Sequence, residues 1–187
     1  MGQTPRLFVI SGPSGAGKGT LLARVRKRHP NLGLAVSATT REPRPGEVDG
    51  VSYHFLDEEE FSRRVRAGEF LEWANVHGHR YGTLKGDVDA LLASGTSVIL
   101  EIDVQGALNV LRLMPDAVLI FIEPPSLEEL ERRLRQRGTE DEGQLRLRLR
   151  NARSELELAD KYYERIVNDD VDAASDRLLQ IIRSYEG

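Results

Sequence analysis

The sequence predicts an α/β protein, a three-layer αβα arrangement around a central parallel sheet, with a small mixed α/β insertion and a helical lid. Three observations carry that prediction. Short, almost continuously apolar runs alternate with longer amphipathic stretches, as strands buried on both faces alternate with the helices that cover them. A glycine-rich turn stands between the first such run and the first helical pattern. Two segments, within 34–81 and 126–162, break the alternation and read as insertions, and no internal repeat turns the chain into an array. The 187 residues suit one domain at roughly 150 residues per domain.

Arg6 to Ser11 reads as the first strand, and Leu21, Leu22 and Val25 open a helix that Pro30 stops. The first insertion follows. Leu34 to Ser37, Val51 to Phe55 and Glu69 to Val76 are short strand candidates around one helix, with Asp57 as N-cap, Glu60 three residues on and Gly68 as terminator. Val88, Leu91 and Leu92 mark a helix that Gly95 ends, before strands at Thr96 to Asp103 and Ala117 to Glu123. The lid begins with a capping box of Ser126 and Glu129, and its two charged helical stretches flank Gly138 to Gly143. Its arginines at 132, 133, 135, 137, 146, 148, 150 and 153 are dense for a routine solvated face. A strand at Arg165 to Asn168 and a helix carrying Leu178, Leu179, Ile182 and Tyr185 complete the chain.

Composition narrows the function. With 26 basic against 30 acidic residues the net charge is −4, which does not suggest binding to nucleic acid. There is no cysteine, so neither disulfides nor a thiolate metal site is possible. The longest apolar runs, Leu7 to Ile10 and Ala117 to Ile122, fall far short of the ~18 to 20 residues of a membrane helix. A cytoplasmic protein without membrane partners is the expectation.

The strongest local signal is Gly12, Pro13, Ser14, Gly15, Ala16, Gly17, Lys18, Gly19, Thr20, placed between a strand and a helix. Glycines let successive N–H groups turn inward, the helix start adds partial positive charge, and Lys18 reaches the outer phosphates. A nucleoside triphosphate is the expected ligand of this phosphate-binding loop (P-loop). The Ser or Thr that usually follows the lysine and holds magnesium is Gly19 here, while Thr20 comes one residue late, so the protein ligands of a metal stay unassigned. Arg41 and Arg44 stand in a segment of hydroxyls, Pro and Gly (37–47), and arginine forks suit a phosphate. His77 and His79 flank Gly78 and read as a turn, with no third ligand for a metal.

From about residue 6 to its end the chain resembles the guanylate kinase family. The resemblance rests on Gly12 to Thr20, SATTREPRPGE (37–47), DGVSYHF (49–55), FLEWA (70–74), YGT (81–83), LEIDVQG (100–106), RGT (137–139) and IVND (166–169). It implies phosphorylation of GMP, and of dGMP, by ATP with Mg2+. It further implies a core of 1–34, 84–125 and 160–187, a GMP-binding region of 35–83 and a lid of 126–159. Arg41, Arg44, Tyr53 and Tyr81 would hold the GMP phosphate, and Ser37, Glu72, Thr83 and Asp103 would surround guanine. Arg133, Arg137 and Arg148 match positions that act on the transferring phosphates, and Asn168 matches one beside the adenine of ATP. Lys18, Arg41, Arg137 and Arg148 are the expected catalytic residues.

Chemistry agrees with the resemblance at the base, because guanine presents N1–H and an amine as adjacent donors and needs carboxylate acceptors. Glu101 either is buried by strand alternation or faces the phosphates. Two other readings are a non-catalytic interaction module, which an intact loop and arginine set argue against, and a kinase of another acceptor, which Glu72 with Asp103 argues against.

Overall fold

The structure is a computed structural model and describes residues 4–76, 78–137 and 142–187, without the side chain of Arg137. The first sheet has five parallel strands in the order β2-β7-β1-β8-β9: β1 Leu7–Ser11, β2 Gly33–Leu34, β7 Val98–Glu101, β8 Val118–Glu123 and β9 Glu164–Val167. The expected parallel sheet is present. Successive side chains of a strand point to opposite faces, so Phe8 and Ile10 join one core with Ile120 and Ile122, while Leu7 and Val9 join another with Leu119 and Phe121. The first core is closed by α1 Lys18–Arg28 and α7 Val171–Glu186, through Leu21, Leu22, Val25, Leu178 and Ile182. The second is closed by α3 Lys85–Ala93 and α4 Val104–Leu113, through Val88, Val104, Ala107 and Val110. Helices on both faces leave the C-terminal ends of β1 and β7 open for a ligand.

A second sheet has the order β4-β3-β6-β5: β3 Ser37–Thr39, β4 His54–Phe55, β5 Phe70–Val76 and β6 His79–Leu84. Its small core of Ala38, Phe61, Phe70 and Leu84 lies under α2 Glu58–Arg66, where Phe61 and Phe70 stack at 4.4 Å. The ring of Trp73 meets Phe61 edge-on at 6.3 Å and stays 40% exposed. The expected strand of residues 34 to 37 is divided: Leu34 pairs with Ile99 in the first sheet and Ser37 with Thr83 in the second. The chain passes between sheets at Ala35 and Val36.

The lid is the helical pair α5 Leu127–Arg137 and α6 Glu142–Leu156, packed through Leu130, Leu134, Leu145 and Ala152. Gly143, expected in the connection between them, lies inside α6; residues 138–141 are outside the described residues. A 3-10 turn at Ala159–Lys161 leads to β9. Asp57 and Ser126 cap their helices by accepting from Glu60 N and Glu129 N, at 2.7 and 3.1 Å. The capping boxes are not reciprocal, because the Glu60 and Glu129 carboxylates turn instead to Arg63, Arg64, Arg132 and Arg133.

Candidate active site

The phosphate loop links β1 to α1, and the residues around it hold it open. Gly17 caps α1 at φ 94°, with no side chain bonded to the helix start and no acid in its first turn. The first N–H groups of α1 are therefore left to an anion. A Cβ on Gly17 would lie 2.3 Å from Asn168 Nδ2. That nitrogen donates to Ala16 O at 2.8 Å from a side chain only 1% exposed, so Asn168 buttresses the loop from beneath. Of its polar side-chain atoms only Oδ1 has no hydrogen bond among the described residues. Arg133 extends the support, donating to Asn168 O at 2.9 Å. Lys18 Nζ folds back on Gly12 O and Pro13 O, at 2.5 and 3.1 Å. Thr20 is exposed.

Beside α1 stands Glu101, the last residue of β7. A Cβ on Gly19 would sit 3.8 Å from both of its carboxylate oxygens. Burial of the carboxyl group pushes its pKa up and Lys18 pulls it back. Of the two alternatives left by the sequence, the structure therefore gives Glu101 the one that faces the phosphate loop.

In the second sheet, backbone register brings three residues of distant sequence into one row. Ser37 pairs with Thr83 across β3 and β6, and Thr83 pairs with Glu72 across β6 and β5. Thr83 Oγ1 donates to Glu72 Oε1 at 2.8 Å. The other oxygen, Oε2, approaches α4 so closely that a Cβ at Gly106 would stand 2.8 Å from it, and glycine makes the room. Asp103 caps the same helix by accepting from Gly106 N at 2.8 Å. Ser37, Glu72, Thr83 and Asp103 thus gather where the two sheets meet. Glu72 is 6% exposed, and burial pushes its carboxyl up to about 7, against the Thr83 hydrogen bond and with help from Asp103. Burial thus works against the charged form that guanine donors need, and the hydrogen bond from Thr83 works for it.

The arginine segment continues the same surface. Arg41 Nη2 meets both oxygens of Glu47, at 2.8 and 2.9 Å, and its guanidinium lies 5.4 Å from the centre of the Tyr53 ring. Tyr53 and Tyr81 meet edge-on at 6.0 Å. Glu47 also accepts from Arg44 N at 2.7 Å, so one carboxylate ties Arg41 to the turn that carries Arg44. The Arg41 pairing holds Glu47 below the usual carboxylate range. Arg44 is exposed. Sequence reasoning gave Glu47 no role, although its place three residues after Arg44, at the end of a turn, was the signal.

The lid arginines divide into two kinds. Arg132 pairs with Glu129 along its own helix, and Arg135 pairs with Glu131 there and with Glu142 of α6, on a solvated face. Arg148 instead reaches across to the phosphate loop, where Nη1 donates to Ser14 Oγ at 2.8 Å. The Arg137 side chain and His77 lie outside the described residues. Among the described residues no group of three or more His, Cys, Asp or Glu is placed to hold a metal, and no helix is long and apolar enough to cross a membrane.

Comparison with known proteins finds similarity over nearly the whole chain. The family model described as guanylate kinase matches residues 4–185. A guanylate kinase of Caldanaerobacter subterraneus is 51% identical over 176 residues, covering 94% of this chain and 85% of the relative. One of Rubrobacter xylanophilus is 51% identical over 178 residues, covering 95% and 93%. The crystal structure of guanylate kinase from Anaplasma phagocytophilum superposes with a TM-score of 0.77 at 35% identity, covering 98% of this chain and 87% of that one.

Proposed function

Because this chain belongs to the guanylate kinase family, we propose that its two sheets divide between them the handling of ATP and GMP. The enzyme phosphorylates GMP, and the reaction is ATP + GMP = ADP + GDP. An oxygen of the GMP phosphate forms a bond to the γ-phosphorus, and the bond from that phosphorus to the bridging oxygen breaks, its electron pair leaving with ADP. The attacking group is an ionised phosphate, so no general base is needed. What the protein must supply is positioning and positive charge.

The phosphate loop from Gly12 to Thr20 takes the ATP phosphates, with Lys18 leaving its carbonyl partners for the outer ones. Asn168 and Arg133 fix the loop from below. Arg41, Arg44, Tyr53 and Tyr81 take the GMP phosphate, with Glu47 aligning Arg41. Ser37, Thr83, Glu72 and Asp103 take guanine. Arg148 and Arg137 of the lid (126–159) close over the transferring group, and the GMP-binding region (35–83) closes from the other side of the core (1–34, 84–125, 160–187). Closure keeps water from accepting the phosphoryl group.

Mg2+ typically accompanies ATP in this family. The Glu101 carboxylate, whose two oxygens stand 3.8 Å from where a Cβ on Gly19 would lie, would hold such an ion in place of the missing hydroxyl. When bound, the ion neutralises phosphate charge. We further propose dGMP as a second acceptor and the cytoplasm, where both nucleotides are dissolved, as the location.

The observation that carries the acceptor assignment is the buried Glu72 carboxylate, fixed by Thr83 and standing beside Asp103. ADP release measured across GMP, dGMP, AMP, CMP and UMP tests it with the Glu72→Gln variant. The amide keeps the shape but turns a donor toward a guanine donor, and kcat/KM for GMP is expected to fall by roughly 2 to 4 kcal/mol in activation free energy. The KM for ATP should hold. A variant that phosphorylates GMP like the parent while losing ATP affinity removes the assignment.

A further inference from the structure

Nothing in the backbone of Gly106 calls for glycine. It is the third residue of α4, its conformation is helical, and it is not one of the glycines at positive φ. Alanine would suit a helix better. What excludes a side chain is one group. A Cβ there would stand 2.8 Å from Glu72 Oε2, nearer than real Cβ atoms come to a neighbour, whereas the next nearest atoms, Glu72 Cδ and Ile102 Cδ1, lie at 3.4 Å, an ordinary contact. The glycine therefore answers to the Glu72 carboxylate alone.

Helix and strand have little freedom to part. Val104, Ala107 and Val110 seat α4 in one core of the parallel sheet, and Leu71, the neighbour of Glu72, is buried in that same core. The backbone of Glu72 is paired with Thr83 on its other side. A methyl group at 106 would thus turn the carboxylate, the far end of a flexible side chain, rather than move either backbone. A turned carboxylate cannot keep both the 2.8 Å bond from Thr83 Oγ1 and its place against the first turn of α4. The partial positive charge of that turn favours an ionised acid, against the burial that opposes it.

We infer that Gly106 is a positioning residue that fixes the reach of the Glu72 carboxylate and so governs recognition of the acceptor base. The inference rests on the assignment of Glu72 to guanine. Residue 106 lies on a helix that covers the parallel sheet and residue 72 on the edge strand of the second sheet, so the length of the acid on one wall is matched to the missing side chain on the other. The match is one of size and is therefore open to exchange. With aspartate at 72 one methylene leaves the acid as alanine at 106 adds one methyl group to the helix, and the gap is filled without overlap.

The test compares Gly106→Ala, Glu72→Asp and the double variant with the parent, by kcat/KM for GMP, KM for ATP and thermal unfolding. Gly106→Ala should fold with a Tm within about 4 °C of the parent. Its kcat/KM for GMP should fall by about tenfold or more, the worth of a hydrogen bond to a charged group, mostly through KM. The KM for ATP should stay within about twofold. Glu72→Asp should also lose about tenfold or more by itself. The double variant should lose less than about threefold beyond Glu72→Asp, because the methyl group then has nothing to displace. Losses that multiply in the double variant overturn the inference. So does a Gly106→Ala variant that keeps its kcat/KM for GMP, that fails to fold, or that loses ATP in the same proportion. If Glu72→Asp itself leaves GMP unchanged, the assignment of Glu72 to guanine fails, and the contact at Gly106 is one of packing only.

Discussion

Glu72 is where stability and recognition pull apart. Its folded pKa, about 7, lies above the ordinary 4.5, so between those pH values the folded protein binds more protons than the unfolded chain. Stability from this group is therefore fully present below pH 4.5 and is lost as pH rises through 7. Glu72→Gln removes the buried charge and should raise stability by about 1 to 3 kcal/mol at pH 8, with the gain gone at pH 5. Denaturant unfolding of both proteins at the two pH values checks it, and a gain equal at both contradicts the cause. The same residue that costs the free protein stability serves the nucleotide, since guanine donors favour the charged form. At this scale the sequence displayed the side chains with a recognisable local setting: Lys18 after its glycines, and Arg41 and Arg44 in their turn. Glu101 has no such setting. Its position against Gly19 comes from another element, and spacing along the chain does not encode it.

Each element's legibility followed from where its partners lay. The runs that became β1 and β8 are buried on both faces, so their apolar continuity marked them without any knowledge of pairing. β6 reads HRYGTL and has no such mark; it is a strand because β3 and β5 flank it. Likewise α4 went unpredicted as an element, because glycine at 106 weakens its helical pattern for the sake of Glu72. The lid helices were evident from their charge, but charge alone did not separate the self-paired arginines from Arg148. That contact to Ser14 joins α6 to the phosphate loop, so Arg148→Ala should lower kcat by tenfold or more while changing the KM for GMP less, as expected for an interaction that strengthens on closure. Steady-state kinetics decides it. A raised KM with kcat intact places Arg148 in ground-state binding.

Across the whole molecule, the two sheets are unequally supported. The parallel sheet is covered by extensive cores on both faces, whereas the second sheet rests on Ala38, Phe61, Phe70 and Leu84 with a few partly buried neighbours. Local opening follows buried apolar contact, so amides of β3, β5 and β6 should exchange faster than those of β1 and β8. Saturating GMP should slow the second sheet by at least tenfold, and ATP without GMP should not; equal protection by either nucleotide would mean the sheets open as one unit. The aromatic edge of that same sheet has a practical consequence. The chain holds a single tryptophan, and Trp73 sits next to Glu72 with its ring part in water and part against Phe61. Its fluorescence is therefore an optical signal from the acceptor side alone. Emission should change in intensity or wavelength as GMP is titrated and stay level as ATP is added by itself, so that binding of one substrate can be followed in the unlabelled protein without turnover.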